Sequence, residues 1–326
     1  MNYEVMITLV LLLLCWAILA VADTAVAGVA AIIGGVRFRT VFLWGLISFL
    51  IPVFAFAWGT LFERNWYQVK EVTFESPTLP AAFDGFRIAQ VSDIHLRSFA
   101  GRPESLRKAV DKLNSLDPDI VCFTGDLISM DVSEIDGFEE ILQSIKVPVF
   151  SVMGNHDYHI YAGSKGKVEK STMVAKVEEL KARERALGWN LLLNQNSVIS
   201  RGGDSLAVIG VENTSASKHF PSHGDLQAAM EGTDGCFCVL LSHDPTHWEM
   251  EVLGRDMPLT LSGHTHAIQF SLFGWCPSRY LFKQYRGLYA EGSQSLYVNI
   301  GLGETIFPAR IGTRPEISLI TLRNTL

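Results

Sequence analysis

The chain opens with two long apolar runs and only afterwards begins to alternate. Between Val5 and Gly34 the ionisable side chains are Cys15 and Asp23, and between Val41 and Phe62 there is none. Each run is long enough to cross a hydrocarbon core, which takes about 20 apolar residues. A cleaved signal peptide is the competing reading of the first run. It fits poorly, because "MNYE" carries a glutamate in place of a basic start and a second apolar segment follows. The pattern predicts a membrane anchor over residues 1–63, made of two transmembrane helices, and a second domain over residues 64–326.

From residue 69 onward, short β-branched runs alternate with helical spacing. The runs at 86–92, 119–125, 147–153, 205–211, 236–242, 258–262, 296–300 and 316–322 predict strands. Helices are predicted at 103–116, where Pro103 stands in the first turn, at 134–145, and at 168–187 with one charged and one apolar face. Such alternation belongs to the α/β class.

Polar clusters fall at the ends of five of these strands. Ser92-Asp93-Ile94-His95 follows the first, Gly125-Asp126 the second and Gly154-Asn155-His156-Asp157 the third. Ser242-His243-Asp244 and Ser262-Gly263-His264-Thr265-His266 follow two later ones. Open α/β sheets bind ligands just outside the carboxyl ends of their strands, so five clusters there predict one shared site. Five of the nine histidines lie in them. An extended backbone through Asp93-x-His95 and His264-x-His266 would point both members of each pair to the same face. Imidazole, carboxylate and amide donors without a thiolate suit Mn²⁺, Fe or Zn²⁺ in a catalytic site. Seven donors exceed the need of one ion with open positions and suffice for two bridged by a carboxylate.

Taken together, the blocks resemble those of the calcineurin-like metallophosphoesterase superfamily: Asp-x-His, Gly-Asp, Gly-Asn-His-Asp, a lone His and Gly-His-x-His, in order from 93 to 266. The later "LYVNIGLG" and "RPEISLITL" are similar to the membrane-attached bacterial branch, the YkuE-type phosphohydrolases. The resemblance implies a four-layer sandwich of two packed mixed β-sheets flanked by helices. It implies that Asp93, His95 and His266 hold one divalent ion, that Asn155, His243 and His264 hold another, and that Asp126 bridges them, with Mn²⁺ the favoured metal. It further implies that His156 faces substrate and protonates or stabilises the leaving oxygen, with Asp157 orienting it. The resemblance departs at Ser129, where many members of that superfamily carry Asp or Asn, and it leaves the first Asp of the block, Asp126, intact. The chemistry agrees: a hydroxide between two cations is a nucleophile at neutral pH, and the cations neutralise charge on the transferring group. The glycines at 125, 154 and 263 let the backbone turn where a side chain would crowd the centre. His159, His219, His223 and His247 match no ligand position.

Charge and cysteine content refine the setting. The formal net charge of −7 and the absence of a basic block exclude a nucleic-acid surface. Arg37 and Arg39 in the short loop favour a cytoplasmic loop, which puts the large domain outside, whereas Arg64 and Lys70 argue the reverse with equal count. Cys122, Cys236 and Cys238 sit in strand-like runs as buried thiols, and five cysteines without a disulfide framework suit a reducing compartment. The balance tips to the cytoplasmic face of a bacterial inner membrane.

Residues 267–292 carry seven aromatics with Arg279, Lys283 and Arg286. This segment either shapes a pocket for a phosphate-bearing lipid headgroup, docks on the bilayer, or packs as a loop over the sheet edge. The function expected of the whole is a membrane-anchored phosphohydrolase cleaving a phosphodiester or pyrophosphate, with a lipid-linked nucleotide of the UDP-diacylglucosamine type as substrate. The rival readings are an esterase acting on soluble nucleotides or phosphomonoesters, and a catalytically silent membrane sensor, which would be expected to have lost ligands.

Overall fold

The computed structural model describes residues 3–158 and 169–326, so His159 and the first residue of the helix predicted from 168 lie outside the described residues. The first apolar run forms α1 (Tyr3–Gly34). The second forms α2 (Phe38–Gly45), a 3-10 turn at Leu46–Phe49, and α3 (Leu50–Leu61). The spans Val5–Gly34 and Phe38–Asn65 are long and apolar enough to cross a membrane. Their large side chains point outward, with Ile32 85% exposed, a surface that suits lipid and not water. The two spans touch: the Trp16 indole N–H donates to the Phe49 carbonyl (2.9 Å), and the Asp23 side chain occupies the space above Gly45.

The end of α3 is seated in the rest of the chain. Phe56 packs edge-on against Phe307, with ring centroids 5.5 Å apart. Gly59 lies so close to the Arg310 carbonyl that a Cβ would sit 2.7 Å from it. Just beyond, Glu63 accepts the Gly312 N–H (3.0 Å), and the Arg64 guanidinium pairs with both oxygens of Glu304 (3.0 and 2.7 Å).

Twelve strands follow among the described residues. They are β1 (Gln68–Ser76), β2 (Arg87–Val91), β3 (Ile120–Phe123), β4 (Val149–Ser151), β5 (Asn190–Leu191) and β6 (Gln195–Arg201). The remainder are β7 (Asp204–Gly210), β8 (Phe237–Leu241), β9 (Leu259–Ser262), β10 (Gly287–Glu291), β11 (Gln294–Val298) and β12 (Glu316–Asn324). One sheet runs β1-β12-β2-β3-β4-β5 and the other β10-β11-β9-β8-β7-β6, each with parallel and antiparallel neighbours. Period-2 alternation sorts the apolar side chains even where the runs are apolar throughout. Ile88, Ile120 and Cys122 point between the sheets to meet Val208, Val239 and Leu261, while Ala89, Val121 and Phe123 point outward. The outward face of the first sheet is covered by α4 (Pro103–Ser115), α5 (Glu139–Gln143) and α6 (Lys170–Ala186). The other sheet carries a thinner cover from α7 (Leu226–Ala229) and Trp248 and Val252. The result is the expected four-layer sandwich of two mixed sheets flanked by helices.

Three local expectations are corrected. The helix predicted at 134–145 is broken: a 3-10 turn at Val132–Ile135, capped by Asp131 and Glu134, gives way to α5 because Gly137 (φ 84°) turns the chain between them. In α6 the inward stripe is not apolar throughout, since Met173, Val177 and Leu180 are followed by the fully buried Glu184. Cys122 and Cys238 are buried and free as read, but Cys236, just before β8, is half-buried.

Candidate metal centre

All seven expected ligands meet at the C-terminal ends of β2, β3, β4, β8 and β9. Asp93, His95, Asp126, Asn155 and His243 are buried, each 1% exposed or less, although they are polar. In one group His266 Nε2 lies 3.1 Å from Asp93 Oδ1 and 3.1 Å from His95 Nε2. In the other, Asn155 Oδ1 lies 2.7 Å from His264 Nδ1 and 3.1 Å from His243 Nε2. Asp126 stands between the groups, its Oδ2 3.5 Å from His95 Nε2 and 3.2 Å from His243 Nε2. Its other oxygen accepts the His156 backbone N–H at 2.8 Å, which leaves Oδ2 to face both groups.

The backbone that achieves this is not extended, contrary to the reading of the two x-separated pairs. Asp93 (φ 50°), His95 (45°), Asp126 (60°), His264 (72°) and His266 (49°) are all left-handed. Side chains rarely adopt that region, and Asp, Asn and His tolerate it best. The pair Asp93 and His95 does reach one group, whereas His264 and His266 serve different groups. The strain is fixed by close packing. A Cβ on Gly154 would fall 2.3 Å from Asp126 Oδ1, and one on Gly263 would fall 1.8 Å from Ser92 Oγ.

The surrounding groups set each donor's direction. The His243 Nδ1–H points at the Thr124 carbonyl (2.7 Å), which turns Nε2 inward. Ser129 Oγ lies 3.3 Å from His95 Nδ1, so this residue contacts one of the expected ligands. Asp93 Oδ2 accepts from Ser92 Oγ and from the His264 N–H, while buried Oδ1 accepts no well-aligned hydrogen bond and faces the Nε2 atoms of His266 (3.1 Å) and His95 (3.8 Å). A buried carboxylate oxygen left this way costs on the order of 1–3 kcal/mol or more unless a cation faces it. The residues present therefore fit metal ions.

The electrostatics fit as well. Burial works against charge on Asp93 and Asp126, yet the histidines around them outweigh it and hold both carboxylates well below their usual range. Burial would likewise lower His243, but Asp126 and Asp93 together hold it up at about 10. His266 and His156 are pushed down to about 4, burial being the main cause, so both imidazoles are neutral near pH 7.

His156 lies at the edge of the centre, its ring 4.8 Å from that of His95. Its Nδ1 is 2.7 Å from the Ser129 carbonyl, which orients the ring. Asp157 does not do so. Its carboxylate accepts four backbone N–H groups, from Asp126, Leu127, Ile128 and Gly154, at 2.8–3.2 Å. The expected orientation of His156 by Asp157 is thus replaced by a carboxylate that ties two ligand loops together. Burial and the neighbouring Asp126 charge push its pKa up to about 7 against those four donors.

Three supporting residues escaped the motif reading. Asp244 Oδ2 stands 3.7 Å behind His264 Nε2. Arg310, fully buried, donates to the Ile300, Gly303 and Thr313 carbonyls beside His266. Phe220 stacks edge-on against His264, with centroids 5.1 Å apart. Of the set-aside histidines, His247 is buried against Ser242 Oγ (2.9 Å) and His223 packs on Tyr158. Above the centre opens a cavity of about 280 Å³, floored by Asp126, Asn155, His156, His264 and His266 and rimmed by Phe220, Ile268, Leu281, Phe282 and Ile306.

Residues 86–267 match the family model described as calcineurin-like phosphoesterase. The chain belongs to the calcineurin-like metallophosphoesterases. Among relatives, it is 30% identical over 284 residues to the uncharacterized metallophosphoesterase YkuE of Bacillus subtilis, covering 83% of this chain and 90% of that one. It is 30% identical over 290 residues to a Danio rerio transmembrane protein with metallophosphoesterase domain, covering 85% of this chain and 62% of that protein. It is also 28% identical over 303 residues to the Chlamydia trachomatis UDP-2,3-diacylglucosamine pyrophosphatase LpxG, covering 77% of this chain and 88% of LpxG. This metallophosphoesterase is therefore a phosphoester hydrolase of a membrane-associated branch.

Proposed function

We propose that the protein is a membrane-anchored, two-metal phosphohydrolase that cleaves a phosphodiester or pyrophosphate bond of a membrane-borne substrate. Residues 1–63 serve as the anchor and 64–326 as the catalytic domain, facing the cytoplasm. The observation that carries the reading is the position of Asp126, whose Oδ2 faces His95 on one side and His243 on the other. Asp93, His95 and His266 would hold one divalent ion, Asn155, His243 and His264 the other, with Asp126 common to both. Such ions, Mn²⁺ by preference, supply a nucleophile at neutral pH and offset charge on the phosphoryl group.

The chain's own residues do the rest. His156 holds its Nδ1 proton on the Ser129 carbonyl and so presents Nε2 to the cavity. An arriving phosphate favours protonation there, and the imidazolium then stabilises or protonates the departing oxygen. Asp157 keeps the Asp126 and Gly154 loops in register.

The likeness to LpxG and the two apolar spans favour a lipid-linked nucleotide of the UDP-diacylglucosamine type. Hydrolysis of bis-p-nitrophenyl phosphate, a soluble nucleotide diphosphate ester and a lipid-linked pyrophosphate, each with Mn²⁺, tests this. The expected result is metal-dependent turnover with the highest kcat/KM on the lipid-linked form. Preference for the soluble ester would favour the soluble-nucleotide reading, and no metal-dependent turnover on any would overturn the enzyme assignment.

A further inference from the structure

After His266 the chain leaves the centre through Ala267, Ile268 and Gln269, all left-handed, and builds a tight hairpin. Phe270 pairs with Ile311, and the Ser271 N–H donates to the Ile311 carbonyl at 2.7 Å. Leu272 and Trp275 then exchange both backbone hydrogen bonds, 2.8 and 2.9 Å, across Phe273 (φ 48°) and Gly274 (φ 84°). Two positive φ values mark the tight turn of a two-residue hairpin, where Asn or Gly is usual. A phenylalanine is strained there, and packing does not explain it, because Phe273 is 101% exposed. Leu272 and Trp275 beside it are 50% and 45% exposed.

The neighbours say what covers this tip. Ile311, which pairs with the hairpin, also meets Gly59 of α3, where a Cβ would come within 3.0 Å of its Cγ1. Ile311 therefore stands between the base of the hairpin, one strand spacing (about 5 Å) away, and the last turns of a membrane-spanning helix. Cations flank the tip: Arg286 donates to the Gly274 carbonyl (3.3 Å), and exposed Arg279 stacks on Tyr280. Apolar side chains ringed by arginines are what an interfacial anchor presents to lipid headgroups.

The apolar surface then runs on to the centre. The Trp275 and Tyr280 rings lie 6.4 Å apart, and Tyr280 and Leu281 are 71% and 72% exposed. Leu281 and Phe282 form part of the cavity rim, with the Phe282 ring 5.8 Å from that of His264.

We propose that the Leu272–Trp275 hairpin inserts into the leaflet at which α3 ends, so that Tyr280 and Leu281 set the mouth of the metal centre against the bilayer. An amphiphilic substrate then reaches the centre without its acyl chains leaving the lipid. That second step rests on the phosphohydrolase reading; the insertion does not.

The test uses the full chain in phosphatidylcholine–phosphatidylglycerol vesicles, with Cys15 and Cys236 replaced by alanine and an environment-sensitive fluorophore on Phe273→Cys. Ser115→Cys, on α4 at the sheet end away from the centre, is the control. The probe at 273 is expected to shift to the blue and be quenched by spin-labelled lipids, and the probe at 115 to respond only to aqueous quencher. Equal aqueous quenching at both sites would overturn insertion. So would a probe at 273 that is shielded from water yet untouched by the lipid quencher, which would place a second copy there. Phe273→Asp should lower turnover of a vesicle-embedded pyrophosphate by about tenfold, the loss expected from one buried aromatic, and leave bis-p-nitrophenyl phosphate turnover unchanged. Equal loss on both substrates, or none on the embedded one, would overturn the placement of the mouth. A wild-type chain inactive on both would instead defeat the phosphohydrolase reading, while the depth measurement would still decide the hairpin.

Discussion

The carboxylate of Asp157 binds the backbone of Asp126, with Oδ2 2.8 Å from the Asp126 nitrogen and the same oxygen 2.8 Å from that of Gly154. Asp157→Asn puts an NH₂ where N–H donors converge, leaving donors facing a donor. The expected cost is about 1–3 kcal/mol of stability. Thermal unfolding should show a lower Tm, and calorimetry weaker Mn²⁺ binding. A variant with unchanged Tm and metal affinity but an altered pH profile of kcat would return Asp157 to orienting His156.

Asp126 and His156 should fail in different ways. Asp126→Asn removes the charge facing both donor groups, so metal content should fall at both positions and turnover should vanish. His156→Ala should retain both ions yet lose about 10²–10⁴-fold in kcat, the usual share of an acid–base group. Metal analysis beside kinetics separates the two. Full metal occupancy with retained activity in Asp126→Asn would refute the bridging role.

Glu184 provides a pH signature away from the ligands. Burial, then the charge of Asp157, raises its pKa well above the ordinary value, with Ser151 Oγ its hydrogen-bond partner and Oε1 unpartnered. The folded state therefore holds this proton more tightly than the unfolded chain does. Its contribution to stability falls as pH rises from about 4.3, the unfolded carboxylate value, toward the raised folded one. Glu184→Gln mimics the protonated form, so it should match wild type at low pH and exceed it in Tm at pH 8. Parallel Tm–pH curves for the two proteins would show that Glu184 is ionised and compensated in the fold.

That the five blocks would meet at one place was legible, because metal chemistry admits few residue types and the strand ends announce their place. The groups behind them were not. Arg310 reaches His266 from 44 positions away, and Asp244 adjoins a ligand in sequence yet serves a different one in space. Asp157 was visible, but its four donors are backbone N–H groups that no sequence displays. Strand detection followed burial: β2, β3 and β8 are buried along most of their length and stand out, while the edge strands β6 and β10, mostly exposed or half-buried, have the composition of loops. In 134–145, Gly137 outweighed the helical spacing on either side.

The seating of Gly59 beneath the Arg310 carbonyl removes any stalk between membrane and enzyme. Under the proposed anchoring, the centre then has no tether to swing on and stays at the membrane surface. If the proposed lipid-linked substrate is correct, the search for it is two-dimensional, and the variable that governs encounter is molecules per unit area of leaflet. Diluting a lipid substrate with inert lipid should slow the enzyme even when the amount per volume of suspension is held constant, whereas a soluble ester should be indifferent to that dilution.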